Sequence, residues 1–364
     1  MTTKIKAAVA HGVHEPMTIE TLHYEDPVLN QVLIRIVASG LCHSDLHALD
    51  GSLPAEFPIV LGHEAGAIVE KCGPDVRDLQ PGDHVVPLFS PECGICAPCT
   101  SGKTNLCQHF AATEPGGARL LWGDREVRQT GGIGAFATHA IVREYALAKI
   151  RKDAPLDRAF YTGCGVTTGF GASVYSARVQ AGDKVVVFGL GGIGLNALQG
   201  ARFAGASMVI GVDTNPMREE IARKLGATHF VNPAQCGDVV AALLALTGGG
   251  ADHCIECVGN IMLMQQAAAA LNPLWGVLTQ VGVAPMGQTA PVAPFELLMG
   301  KKWQGSMFGG AKGRTDVPRI VDHYMDGDIN IDDLVTHEIR LEDINEGFEM
   351  MKRGESIRAV IKFD

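Results

Sequence analysis

The segment KVVVFGLGGIGLNALQGARFAGASMVIGVDTN, which opens at Lys184, constrains the fold more than any other part of the chain. VVVF is a continuous apolar run, as expected for a strand buried on both faces of a parallel sheet. Gly189, Gly191 and Gly194 follow it in a G-x-G-x-x-G pattern, with Gly192 inside the turn, and a helical stretch begins there. A second strand, MVIGV, is followed directly by Asp213. The alternation then continues. NPMREEIARKLGA reads as a helix with Asn215 as N-cap, Pro216 at the first helical position and Gly226 at its end. THFV, the helix DVVAALLALTGGG, DHCIECVG, a helix over the 260s and WGVLTQVG come next. Strands alternating with helices in this way imply a doubly wound α/β sheet.

The glycine turn has a chemistry of its own. Its glycines permit a tight turn, close approach of a pyrophosphate, and packing of helix on strand. The helix N-terminus offers free N–H groups and a positive dipole end to phosphate oxygens. Asp213 stands about 20 residues on, where a carboxylate accepts hydrogen bonds from ribose hydroxyls. The same carboxylate would repel a 2′-phosphate, so the pattern points to NAD(H) rather than NADP(H). The plainer alternative is a tight strand–helix turn followed by a solvated aspartate.

Before about residue 160 the chain reads as β-rich. QVLIRIVASG and HVVPLF are short β-branched runs, with turns at Gly73-Pro74 and Pro81-Gly82-Asp83. The 364 residues suggest about two domains. Net charge is −10, and no Lys/Arg cluster offers a footprint for nucleic acid. No apolar run approaches the ~20 residues of a membrane helix. The opening MTTKIKAAVAHG lacks a signal-peptide core, so a cytoplasmic, reducing compartment is expected. The expected partners are small molecules or further copies of the chain.

Cys93, Cys96, Cys99 and Cys107 are spaced C-x2-C-x2-C-x7-C. Four thiolates at this spacing can close a tetrahedron around one zinc and leave no position open. The competing reading is a disulfide framework, which a chain of this length does not need. Cys254 and Cys257 form a CxxC that could be redox-active, although the apolar run around it reads better as a buried strand. Cys42, His63 and Cys164 are candidates for a second, open zinc.

Cys42 lies in ASGLCHSDLHALDG, His63 in PIVLGHEAGAIVE and Cys164 in YTGCGVTTGFGA. Together with the four-cysteine lobe, GLGGIG and the tail ESIRAVI, these motifs resemble the zinc-dependent medium-chain alcohol dehydrogenases. The likeness runs in the family's motif order from about Ala7 to the C-terminus and is nearest the liver-type and class III branch. It implies a GroES-like β-rich catalytic domain over residues 1–165, with the structural zinc lobe at 93–107. A Rossmann doubly wound parallel-sheet coenzyme domain would span 166–307, and 308–364 would return to the catalytic domain. Two zinc ions and NAD(H) are implied.

By the same resemblance Cys42, His63 and Cys164 would bind a catalytic zinc, three protein ligands that leave one position for water or a substrate oxygen. Asp45 would orient His63. Glu64 resembles an acid behind the zinc, or serves in a structural ion pair. Ser44 would meet the substrate oxygen, and His47 would carry the proton onward, as histidine chemistry suits; otherwise His47 is a surface histidine. His43 and Arg358 would contact the pyrophosphate and Lys224 a ribose, unless each is an ordinary surface charge. Thr168 and the glycine motif complete the coenzyme contacts.

Leu53, Phe89, Phe136, Val283 and Met307 would line a substrate channel, or belong in part to the core. All are apolar, which favours a primary alcohol or aldehyde with an alkyl, aromatic or terpenoid body. Class III members carry an acid near Leu53 and an arginine near Ala111, and this chain has neither. A thiol-cofactor-dependent formaldehyde dehydrogenase and a nicotinoprotein that holds NAD permanently stay open. Outside catalysis, an inactive zinc- and NAD-binding scaffold is the alternative. A homodimer is expected, paired around PFELLMGKKWQGSMF as in the family, with a tetramer the other possibility.

Overall fold

The computed structural model describes residues 2–110 and 118–363. It comprises two compact units. One consists of Met1–Cys164, Lys312–Asp326 and Ile331–Asp364; the other of Gly165–Ala311 and Gly327–Asn330.

The first unit is β-rich. Strands Thr2–Ala10, Thr18–Glu25, Leu120–Trp122, Arg125–Gln129 and Ile59–Val60 close a barrel. A seven-stranded sheet is built around Gln31–Gly40, which pairs with Glu64–Cys72, His139–Arg143 and the C-terminal strand Arg358–Lys362. QVLIRIVASG is apolar almost throughout because this strand is enclosed by neighbours, and Val32, Ile34 and Ile36 are fully buried. Its C-terminal end delivers Leu41 and Cys42 to the start of the helix His43–Leu49. Pairing of Val360 with Gly40 brings Arg358 to the same end.

The second unit holds a six-stranded parallel sheet ordered His229–Val231, Met208–Val212, Lys184–Phe188, His253–Glu256, Val277–Gln280, Lys302–Gly305. The order is that of a dinucleotide-binding sheet, with its crossover point beside Lys184–Phe188. Val185, Val186 and Val187 are buried there, since parallel neighbours and helices cover both faces.

Helix Val239–Thr247 starts at Asp238, whose carboxylate accepts N–H bonds from Val240 and Ala241. Asn260 caps Ile261–Ala269 in the same way. The helix after Asp213 begins later than its sequence predicts, at Arg218 rather than Pro216. Asn215 does accept the N–H of Met217, but this closes a turn ahead of the helix. No described helix is long and apolar enough to cross a membrane.

Candidate active site

Cys42 stands at the N-cap of His43–Leu49, a helix of seven residues that also carries Ser44, Asp45 and His47. Gly62, with φ at +91°, turns the chain into His63 and Glu64. A Cβ on Gly62 would lie 2.7 Å from the Phe136 ring, so only glycine fits. The Asp45 carboxylate, buried, accepts the Gly62 N–H at 2.9 Å and meets His63 Nδ1 at 3.2 Å. That bond leaves His63 Nε2 for a metal. Cys164 follows the short turn Phe160–Gly163.

These elements bring donor atoms of Cys42, His63, Glu64 and Cys164 within 4.8 Å of one another, all buried. Cys42 and Cys164 hydrogen-bond to each other. The bond holds the Cys42 thiol well below its ordinary range and pushes that of Cys164 well above it. One proton shared between two buried sulfurs is what a bound cation would displace. Burial pushes the Glu64 carboxyl up to about 8, against the pull of the Arg358 charge. Two thiolates, an imidazole and a reserve carboxylate fit zinc.

Ser44 Oγ lies 3.9 Å from Cys42 Sγ. His47, one turn further along, has Nδ1 3.7 Å from Asp50. His43 is exposed at the first residue of the helix. Phe89 meets the His63 ring edge-on at 5.6 Å, and Phe110 meets Phe89 at 6.3 Å. Sequence reasoning passed over Phe110, whose place on Phe89 no spacing announces. Leu53 is half-buried in the same unit. Phe136 is a correction: it lies in the barrel core against Phe348, 6.0 Å between rings, rather than lining a channel. The close contact with Gly62 draws it inward. Val283 and Met307 belong to the coenzyme unit and are half exposed. Ala111 lies outside the described residues.

Arg358 also departs from expectation. It is only 4% exposed, and its guanidinium engages the Leu41 carbonyl, Tyr161 and Glu64 instead of presenting a free charge for a pyrophosphate. A buried carboxylate needs a nearby cation, and Arg358 is the one the fold supplies.

Sulfur atoms of Cys93, Cys96, Cys99 and Cys107 form the second four-donor cluster within 4.8 Å. The Cys96 sulfur accepts the Gln108 N–H at 3.5 Å, which brings its thiol down to about 6. None of the ten cysteines is in a disulfide. Cys254 sits in the sheet core, where burial raises its thiol; that leaves the CxxC without thiolate character.

In the coenzyme unit, Gly189 has φ +84°, and a Cβ on Gly194 would stand 1.8 Å from the Gly189 carbonyl oxygen. Gly191 caps the helix Gly192–Phe203. Asp213 accepts the Leu190 N–H at 2.6 Å and the Asn215 N–H at 2.8 Å, one on each oxygen. Each oxygen retains a second lone pair for a hydroxyl. Thr168 is buried in the helix Gly165–Gly171, and Lys224 is exposed at the end of Arg218–Lys224.

Residues 29–152 match the alcohol dehydrogenase GroES-like domain, and residues 192–326 match the zinc-binding dehydrogenase family. The chain is 46% identical to an alcohol dehydrogenase class-3 of Cereibacter sphaeroides, over 99% of this chain and 100% of that one. It is 45% identical to an S-(hydroxymethyl)glutathione dehydrogenase of Paracoccus denitrificans, with the same coverage. Among solved structures, benzyl alcohol dehydrogenase from Acinetobacter calcoaceticus superposes with a TM-score of 0.93 at 34% identity, covering 100% of both chains. The chain belongs to the zinc-dependent medium-chain alcohol dehydrogenase family, oxidoreductases that use zinc and NAD(H).

Proposed function

We propose that this chain is an NAD-dependent zinc dehydrogenase whose substrate is the hydroxymethyl adduct of formaldehyde with a low-molecular-weight thiol. The observation that carries the reaction class is the buried Cys42, His63 and Cys164 set, with Asp45 fixing the His63 ring. Identity of 45–46% along the whole chain to class-3 and S-(hydroxymethyl)glutathione dehydrogenases supports the substrate class. This reading replaces the sequence-based preference for an apolar alcohol. The missing acid at Leu53 then concerns which thiol is carried, not whether one is.

When bound, zinc supplies a Lewis acid for the carbinol oxygen and NAD supplies the hydride acceptor. The chain's own residues do the rest. Cys42, His63 and Cys164 would hold the metal, leaving one position open. Ser44 takes the carbinol proton, and His47, one turn along the same helix, passes it to water. Per turnover the substrate loses one hydride and one proton, and the carbinol becomes a thioester. Gly189, Gly191, Gly192 and Gly194 admit the pyrophosphate, with Thr168 of the same unit as a further contact. Asp213 and Lys224 hold the adenosine ribose. Cys93, Cys96, Cys99 and Cys107 would hold a closed, structural zinc.

A second reading, an aromatic or alkyl primary alcohol, is favoured by Phe89 against His63 and by the likeness to benzyl alcohol dehydrogenase. The test is NADH formation by purified protein from formaldehyde with and without glutathione or other small thiols, beside benzyl alcohol. Thiol-dependent turnover supports the proposal. Benzyl alcohol turnover that ignores thiol favours the second reading. NAD that co-purifies and reacts only with an added electron acceptor would identify a nicotinoprotein, and full metal content without any turnover a scaffold.

We also infer a homodimer. Lys302–Gly305 is an edge strand of the parallel sheet, with one side unpaired among the described residues. Beside it, Phe295 and Leu298 of the helix Pro294–Met299 are 70% and 78% exposed. An apolar patch next to an open edge supports pairing of two such sheets.

A further inference from the structure

A buried group of side chains beside the catalytic donors takes no part in the ligand set or the proton path. The Arg358 guanidinium carbon lies 4.4 Å from the centroid of the Tyr161 ring. Its Nη2 donates to the Tyr161 hydroxyl at 3.2 Å, and its Nη1 donates to the Leu41 carbonyl. Its Nε faces Glu64 Oε2 at 3.6 Å. Tyr161 and Glu64 are wholly buried, and neither Glu64 oxygen accepts a hydrogen bond among the described residues. Yet a Glu64 oxygen also belongs to the four-donor cluster.

Glu64 therefore has two cations to choose between. Paired with Arg358, it leaves the metal with three protein ligands and an open position. Bound to the metal, it makes a fourth ligand and closes the site. What decides is how firmly the guanidinium is held. Leu41 grips one nitrogen. Tyr161 holds the other terminal nitrogen through its hydroxyl and the guanidinium as a whole through its ring face, an attraction that is strongest where water is excluded. Phe160 stacks on Tyr161 at 5.9 Å. A Cβ on Gly40 would be 2.6 Å from Glu64 Oε2, so the glycine leaves room for the carboxylate in this pose.

We propose that Tyr161 is a positioning residue that holds Arg358 against Glu64, keeps the Glu64 carboxylate off the metal and so leaves the fourth coordination position open to substrate. This rests on the reading of Cys42, His63 and Cys164 as an open zinc site.

The test uses full-length protein with cobalt(II) in place of zinc. The parent, Tyr161→Phe, Glu64→Gln and the double variant are compared by cobalt visible absorption and by affinity for imidazole, which needs an open position. Tyr161→Phe keeps the ring and the backbone, so the Cys164 turn is retained. It is expected to shift the spectrum and weaken imidazole binding by about tenfold, the scale of a lost charged hydrogen bond. In the Glu64→Gln background the same change is expected to do neither. Arg358→Lys, which keeps the charge but loses the planar fork, is the second probe and should reproduce the shift. A Tyr161→Phe protein identical to the parent overturns the proposal. So does a change of the same size with and without Glu64, which would assign Tyr161 to packing alone. A parent that binds cobalt only at the four-cysteine lobe overturns the open-site reading and this proposal with it.

Discussion

Glu256 ends the strand His253–Glu256, and its buried carboxyl is tied to the turn that follows. Its Oε1 accepts the N–H groups of Val258 and Gly259, both at 2.8 Å, while Oε2 has no partner among the described residues. Its backbone carbonyl accepts Val281 and Gly282 from the neighbouring turn. Burial pushes the carboxyl above its usual range, and the backbone N–H groups only partly oppose it. The folded chain thus binds this proton more tightly than the unfolded chain does. The resulting stabilisation is complete below the ordinary glutamate pKa of about 4.3 and is lost as pH rises through the folded value. Glu256→Gln cannot ionise, so its urea midpoint should fall less than the parent's on going from acid to neutral pH. At Asp213 the expected effect is on coenzyme choice. Asp213→Gly removes the repulsion of a 2′-phosphate and should shift the NAD/NADP ratio of kcat/KM toward NADP by on the order of tenfold, ~1.4 kcal/mol. Steady-state kinetics with both coenzymes checks it.

At the scale of elements, His43–Leu49 does more than its length suggests. It is too short to be stable alone, so the sheet and Asp45's bond to Gly62 hold it in place. The cysteine lobe is held differently. Its one helix, Ala97–Ser101, has no buried residue, and its order depends on the four sulfurs converging. Removing one donor should therefore act unlike removal at the other site. Cys99→Ala is expected to lose one zinc and more stability than the ~1 kcal/mol of an average substitution. Cys42→Ala should also lose one zinc, but abolish turnover while the thermal midpoint moves less. Metal analysis and thermal unfolding of both variants decide this. A single zinc in active parent protein would contradict it.

For the whole molecule, the open edge at Lys302–Gly305 is the feature with the widest consequence. Of the sheet's two edge strands, His229–Val231 and Lys302–Gly305, the latter is unpaired on its outer side among the described residues and has exposed apolar neighbours, which favours a second copy there. Leu298→Glu places a charge in that patch and should convert a dimer to a monomer by light scattering. A parent that is itself monomeric, or a variant that stays dimeric, counts against this face.

The sequence by itself determined the parts whose geometry is complete within a short stretch. The strand–glycine–helix unit was legible because the turn, the buried valines and Asp213 lie within one continuous segment, and Gly194 leaves no alternative residue. The cysteine lobe was legible because four donors within 15 residues, Cys93–Cys107, can reach one point without help from the rest of the chain. Asn215 was misplaced by a few residues because turn and cap use the same side-chain bond. The tertiary structure alone decided the neighbours of residues far apart in sequence. Phe136 turned into the core because Gly62, 74 positions earlier (136 − 62), brings its backbone there. Arg358 was withdrawn onto Leu41 across 317 positions, and Tyr161 became its stacking partner. Local propensity carries no information about such pairs. They exist only because closure of the sheet at Gln31–Gly40 brings its C-terminal partner strand to a buried charge that must be compensated.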